Sequence, residues 1–139
     1  MGEIKFAVEL ENFGDRYLFL KNGIKEEEVR KYRIEAAVDL GSVMLVLLQD
    51  VVEKLDLDIS QTVIVTYADE RKEERSVAGT VTIKIGDRFM NTDCVVGPLM
   101  SEALIEQIIM EELDLIPDYQ ERTLKPRPES PIYPSVKLK

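Results

Sequence analysis

The sequence predicts a mostly β, single-domain protein with one or two short helices, and three observations carry that expectation. Apolar and polar residues alternate with a period of two over several stretches, short turns rich in Gly and Asn separate them, and only two segments show a helical period. The 139 residues, 45% hydrophobic against 32% charged, are enough to enclose one core.

The elements follow in order. Ile4, Phe6, Val8 and Leu10 alternate with Lys5, Ala7, Glu9 and Glu11, which is the pattern of a half-buried strand. Gly14-Asp15 breaks that strand before Tyr17-Leu18-Phe19-Leu20, and Asn22-Gly23 forms a tight turn. Glu26-Glu27-Glu28 reads as a solvated acidic loop, because calcium requires oxygen ligands at more regular spacing. Tyr32, Ile34, Ala36 and Val38 place one apolar face on a strand that delivers Asp39.

After the apolar run from Val43 to Leu48, the residues Leu48, Val51, Val52 and Leu55 recur at helical spacing, so Gln49 to Leu57 is expected to form a short helix packed on the sheet. Thr62 to Tyr67 is a strand, Ala68 to Glu73 a polar tip, and Arg75 to Ile85 a long returning strand, together a hairpin with an exposed end. Gly86-Asp87 suits a two-residue turn into the strand Phe89 to Val96, which Gly97-Pro98 ends. Glu102 to Leu113 fits a helical frame with Ser101 as its N-cap, and is the longest helix expected. Leu115 to Tyr119 and Arg122 to Leu124 form a closing hairpin. Pro126, Pro128, Pro131 and Pro134 then favour an extended tail that packs on the surface or on a partner. The chain thus divides into a domain, residues 1–125, and a proline-rich tail, residues 126–139.

Composition removes whole classes of chemistry. There is no histidine, so no Ser-His or Cys-His nucleophile pair, imidazole base or His metal site exists within the chain. Hydrolysis would rest on carboxylates, lysine or a carboxylate-bound metal. The net charge of -9 argues against a nucleic-acid partner, since phosphate binding draws on Lys and Arg. Cys94 is the single cysteine, which forbids an intrachain disulfide. The longest apolar run, Val43 to Leu48, is far short of the roughly 18 residues that span a bilayer, and Met1-Gly2-Glu3-Ile4-Lys5 lacks a basic-then-apolar leader pattern. A cytoplasmic protein with no membrane partner is the expectation.

Asp39 is the most informative residue. It lies between the apolar stretches Ile34–Val38 and Val43–Leu48 and is followed by Leu40-Gly41-Ser42, so a costly carboxylate is presented at a flexible turn. Two readings are open for it: a structural turn aspartate bonding its own backbone, or a functional acid. Ser42 has no base within the motif and reads as a turn residue or a donor to Asp39. Cys94 and Met44, Met90, Met100 and Met110 read as packing residues, and Tyr67 as either a sheet residue or part of a cleft.

Four stretches together, Ala37-Val38-Asp39-Leu40-Gly41-Ser42, Thr80 to Gly86, Cys94-Val95-Val96-Gly97-Pro98 and Leu104 to Leu115, resemble the retroviral-type, retropepsin-like aspartic proteases, particularly bacterial and archaeal single-domain members. The resemblance implies a small closed acid-protease β-barrel, half of a pepsin-like fold. It further implies an aspartic-type endopeptidase with Asp39 catalytic, Leu40, Gly41 and Ser42 shaping the active-site turn, and a flap over the cleft at Thr66, Tyr67, Ala68, Asp69 and Glu70, continuing to Glu73. No metal or other cofactor is implied. Since each chain has one such Asp and the chemistry needs two carboxyls, it implies a homodimer acting on a polypeptide substrate.

Two positions depart from the family pattern. Leu40 stands where the family usually has Thr or Ser, whose hydroxyl bonds the partner's matching loop, and Glu106 stands where it usually has Gly. These departures keep a second function open, a catalytically inactive peptide-binding or structural module of the same fold. A plain all-β interaction domain is a third.

Overall fold

A computed structural model of the protein describes residues 4–39, 44–97 and 102–138. The first alternating stretch forms β1 (Lys5–Asn12), with Phe6, Val8 and Leu10 buried and Lys5, Ala7 and Glu9 exposed. It pairs antiparallel with β2 (Lys31–Val38) along one edge and with the distal part of β5 (Lys72–Ile85) along the other. The remaining strands are β3 (Val46–Leu48), β4 (Asp58–Thr66), β6 (Arg88–Gly97) and β7 (Ala103–Ile105). The sheet order is β1-β2-β7-β3-β6-β5-β4, and the β1–β5 pairing closes the first six of these into a barrel. β4 lies outside the ring and pairs with β5 alone, which is why most of its side chains face solvent.

The barrel interior is filled by Val8, Leu10, Leu45, Leu47, Ile83 and Ile105, all essentially inaccessible to solvent. Each contributes about 1.5 to 3 kcal/mol of transfer free energy. Cys94 is buried among them, as expected of a small packing residue, and burial pushes its thiol up to about 12, so it stays protonated. Gly86, at φ +64°, makes the turn from β5 to β6, where a Cβ would be strained.

The mostly β barrel agrees with the sequence reading, but the described residues contain three short helices rather than one or two. Phe13–Leu20, read as a strand break, is helix α1. Its start is fixed by Asn12, whose Oδ1 accepts the Asp15 N–H at 2.9 Å while Nδ2 donates to the Leu55 carbonyl at 2.7 Å. Its end is a Schellman motif, with Gly23 N–H on the Leu18 carbonyl and Asn22 N–H on the Phe19 carbonyl, and Asn22 taking φ 62°. Asn22-Gly23 is thus a helix stop. The acidic loop contains a single 3₁₀ turn, Glu26–Glu28.

Helix α2 spans Gln49–Lys54, shorter than the expected 49–57, because Asp56 at φ 51° ends it. The long helix expected over Glu102–Leu113 divides into β7 and α3 (Gln107–Leu113), with Glu106 at the junction. Ala103 and Ile105 are drawn into the core as β7 slots between β2 and β3, so sheet pairing overrides the helical period. Ser101, the expected N-cap, lies outside the described residues. A second sheet, β8 (Leu115–Asp118) with β9 (Thr123–Pro126), is the closing hairpin.

The tail is tied to the domain by a buried polar clasp. Arg88, 3% exposed, donates to the carbonyls of Leu113 at 3.0 Å, Asp114 at 2.8 Å and Ser130. The Asp114 carboxylate accepts from Arg127, from the Ser130 hydroxyl and from the Ser135 N–H. Residues 127–135 therefore pack on the surface, one of the two arrangements the prolines allow.

Candidate active site

Asp39 follows the last residue of β2 and is half-buried. Its N–H donates to the Ile105 carbonyl at 3.0 Å, which carries the parallel β2·β7 ladder one step beyond the pair Val38↔Ile105. The backbone of the acid is thus held in register with the barrel wall. Around it the strands interleave. β3 follows β2 in sequence but lies two places over with β7 between, and β7 follows β6 with β3 between. Of the predicted active-site turn, Leu40, Gly41 and Ser42 lie outside the described residues, as does Pro98.

The predicted flap is the end of the β4–β5 hairpin. Tyr67 N–H bonds the Arg71 carbonyl at 2.9 Å and Glu70 N–H bonds the Tyr67 carbonyl at 2.9 Å, with Glu70 in the left-handed region at φ 66°. This is a three-residue turn, Ala68-Asp69-Glu70, of the kind that suits the twist of a hairpin. The Asp69 carboxylate accepts the Arg71 N–H at 3.1 Å, and the Arg71 guanidinium lies 4.5 Å from the centre of the Tyr67 ring. Tyr67, the residue after the end of β4, packs on the hairpin's own turn.

The hairpin tip is linked to the barrel through Arg75, a residue whose role the sequence reading missed. The Tyr67 hydroxyl donates to Glu73 at 3.2 Å, Arg75 pairs with Glu73 at 3.0 Å, and Arg75 Nε donates to the Val96 carbonyl at 3.0 Å, one residue before Gly97. The signal was the Glu73-Glu74-Arg75 alternation, which on a two-sided exposed hairpin sends Glu73 and Arg75 to one face. Below this chain of contacts, a cavity of about 560 Å³ lies between α2 and the base of the hairpin, lined by Val52, Glu53, Leu57, Ile59 and Arg75 among others. A larger cleft, about 870 Å³, opens against α1 on Phe13, Leu20, Tyr32 and Phe89. Asp39 lines neither of these two.

Glu106 lies immediately after Ile105 and is buried at 4% exposure, with Oε2 lacking any hydrogen-bond partner. Burial raises the pH at which this carboxyl ionises, opposed by the N–H groups of Ile108 and Ile109. Among the described residues no cluster of His, Cys, Asp and Glu is placed to hold a metal ion, and no helix is long and apolar enough to cross a membrane.

A family model described as aspartyl protease matches residues 25–111, well over half of the chain. The protein belongs to the aspartyl protease family. The matched span runs from the acidic turn before β2 to the middle of α3 and so contains Asp39, the hairpin and Glu106. A comparison with curated proteins gives no match.

Proposed function

We propose that the protein is a homodimeric aspartic endopeptidase in which a water held between two Asp39 carboxyls, one from each protomer, attacks a peptide bond. The observation that carries this reading is the mounting of Asp39, a half-buried acid at the end of a barrel strand with its N–H on the Ile105 carbonyl, inside the span that matches the family. Water attacks an amide poorly. Without histidine, its activation falls to a pair of carboxyls, one ionised as base and one protonated as acid. One Asp39 per chain therefore calls for two chains, and repulsion across the twofold axis splits the titration so that the pair shares a proton over a broad acidic range. In this reading Gly41 and Ser42 shape the turn, the Thr66 to Glu73 hairpin covers a polypeptide substrate, and no cofactor takes part.

The test is cleavage of unfolded casein between about pH 4 and 6. Asp39→Asn is expected to abolish turnover while leaving the dimer intact by sedimentation. Cleavage that survives this substitution, or a strict monomer at micromolar concentration that still cleaves, would overturn the reading.

Leu40 and the buried Glu106 favour one alternative, a dimeric peptide-binding module without turnover. Replacing both partners of a buried hydrogen bond by apolar groups is nearly neutral for folding, so the dimer tolerates the loss of the hydroxyl that Leu40 lacks. Tight binding of a statine peptide with no cleavage at any pH would select this reading.

A further inference from the structure

The cleft against α1 lies on the outer wall of the barrel, and strand register lays out its floor. Alternation turns Val8, Leu10 and Ile83 into the core and sends the residues between them outward. Arg33 on β2, Glu9 on β1, Lys84 on β5 and Phe89 on β6 are successive partners across four strands and form one row on that face. Lys31, Glu11 and Thr82 begin a second row two residues along. Helix α1 overhangs both rows. Its residues Phe13, Arg16 and Leu20 share one helical face and line the cleft, and Arg16 Nε donates to the Glu11 carboxylate at 3.1 Å, which ties the helix to the floor. The enclosed space of about 870 Å³ falls within the range of roughly 300 to 1,000 Å³ that suits a small ligand.

Two features of the lining point to what it takes. Phe13 is 37% exposed, Phe89 64% and Leu20 66%, so three large apolar side chains stand in water around one hollow. The second feature is charge. Acids outnumber bases 27 to 18 in the whole chain, yet the cleft is lined by four bases, Arg16, Lys31, Arg33 and Lys84, against the acids Glu9, Glu11 and Asp87. Three of the bases are engaged, Arg16 by Glu11, Arg33 by Glu9 at 3.6 Å and Lys31 by Glu26 at 3.8 Å. Among the described residues no carboxylate pairs with Lys84, and Asp87 belongs to the exposed turn from β5 to β6, outside the two rows.

We propose that this cleft is a binding site for a single-chain amphiphile with one carboxylate head, the head on the Lys84 ammonium and the acyl chain against Phe13, Leu20 and Phe89. One unpaired ammonium matches one negative charge, and the neighbouring guanidiniums disfavour a cationic head. The floor also selects an acyl chain over an extended peptide. Here β1 is paired with β2 and β5, and β5 with β1 and β6, so the floor has no free N–H or C=O for a peptide backbone, whereas an acyl chain has none to satisfy. Asp39 does not line the cleft, so the site stands or falls independently of the reading of Asp39 as the catalytic acid.

The experiment titrates decanoate, below its critical micelle concentration, into the ¹⁵N-labelled protein at about pH 7, where the head is ionised. Saturable shifts are expected at the amides of Phe13, Leu20, Lys84 and Phe89, with the β4–β5 hairpin tip unmoved. Lys84→Gln is expected to weaken decanoate about tenfold and to leave decanol unchanged, while Phe89→Ser weakens both. Both side chains are exposed, so neither variant threatens the fold. Absence of saturable binding, or decyltrimethylammonium binding as tightly as decanoate, would overturn the inference. So would an affinity for decanoate that Lys84→Gln does not change. Shifts of the same amides on concentrating the protein alone, with a heavier species in sedimentation, would give the cleft to a second copy of the chain and likewise overturn it.

Discussion

The two ends of helix α3 carry the same chemical group in opposite circumstances. At its start Glu106 is buried with an oxygen unpaired, and burial raises its pKa. At its end Asp114 is equally buried, yet bonds from Arg127, the Ser130 hydroxyl and the Ser135 N–H hold its carboxyl well below the usual carboxylate range. Burial alone therefore does not decide the state of an acid in this protein. Partners do: a guanidinium and a hydroxyl are supplied where the chain must be fastened, while at Glu106 only backbone N–H groups oppose the cost of burial.

The largest test of that contrast removes the hub of the fastened end. Arg88→Ala removes a donor from the carbonyls of Leu113, Asp114 and Ser130, of which Asp114 keeps the Arg127 N–H, and opens a cavity, at a cost of about 3 kcal/mol, read by urea unfolding. Asp114→Asn is expected to destabilise less, since Ser130 and Ser135 retain an acceptor, and to make the wild-type acid sensitivity disappear. The sign follows from the depressed pKa. The Asp114 contribution is complete above the ordinary aspartate value of 3.8 and is lost as pH falls below it.

Glu106→Gln acts in the other direction. A raised pKa means that the folded state binds the extra proton, so wild-type stability is full below the ordinary glutamate value of 4.5 and declines as pH rises beyond it. The variant is expected to flatten that decline, measured as Tm from pH 4 to 8, and a decline of unchanged slope would place the titration elsewhere. The smallest effect is at α1, where Asn12→Ala removes an N-cap and a tie to Leu55, for about 1 kcal/mol.

The sequence made the barrel legible wherever a strand kept one face wet. β1 and β2 announce themselves by alternation, and Asp39 by its position between two apolar runs. Elements decided by distant partners were hidden. Ala103 and Ile105 satisfy a helical period and a strand period equally, and only the slot between β2 and β3 chooses between them. α1 is eight residues, with apolar side chains exposed on much of its surface, so its periodicity was silent, although Asn12 and Asp15 at cap spacing were a usable sign. The clasp joins Arg88 to Ser130 across 42 positions, a separation that no local pattern encodes. Asp39 and the hairpin could be read, and Glu106 stood out as a departure, but that one of its oxygens is buried without a partner is a fact of packing.

The fourteen residues of β5 form a wall of the barrel at one end and a side of the hairpin at the other without interruption. A protease that nicks Ala68-Asp69-Glu70 would sever the covalent chain and leave the pairing of β4 with β5 in place. The two fragments, 1–69 and 70–139, should co-migrate as one particle under native conditions and part only in denaturant, which makes the molecule a ready split reporter.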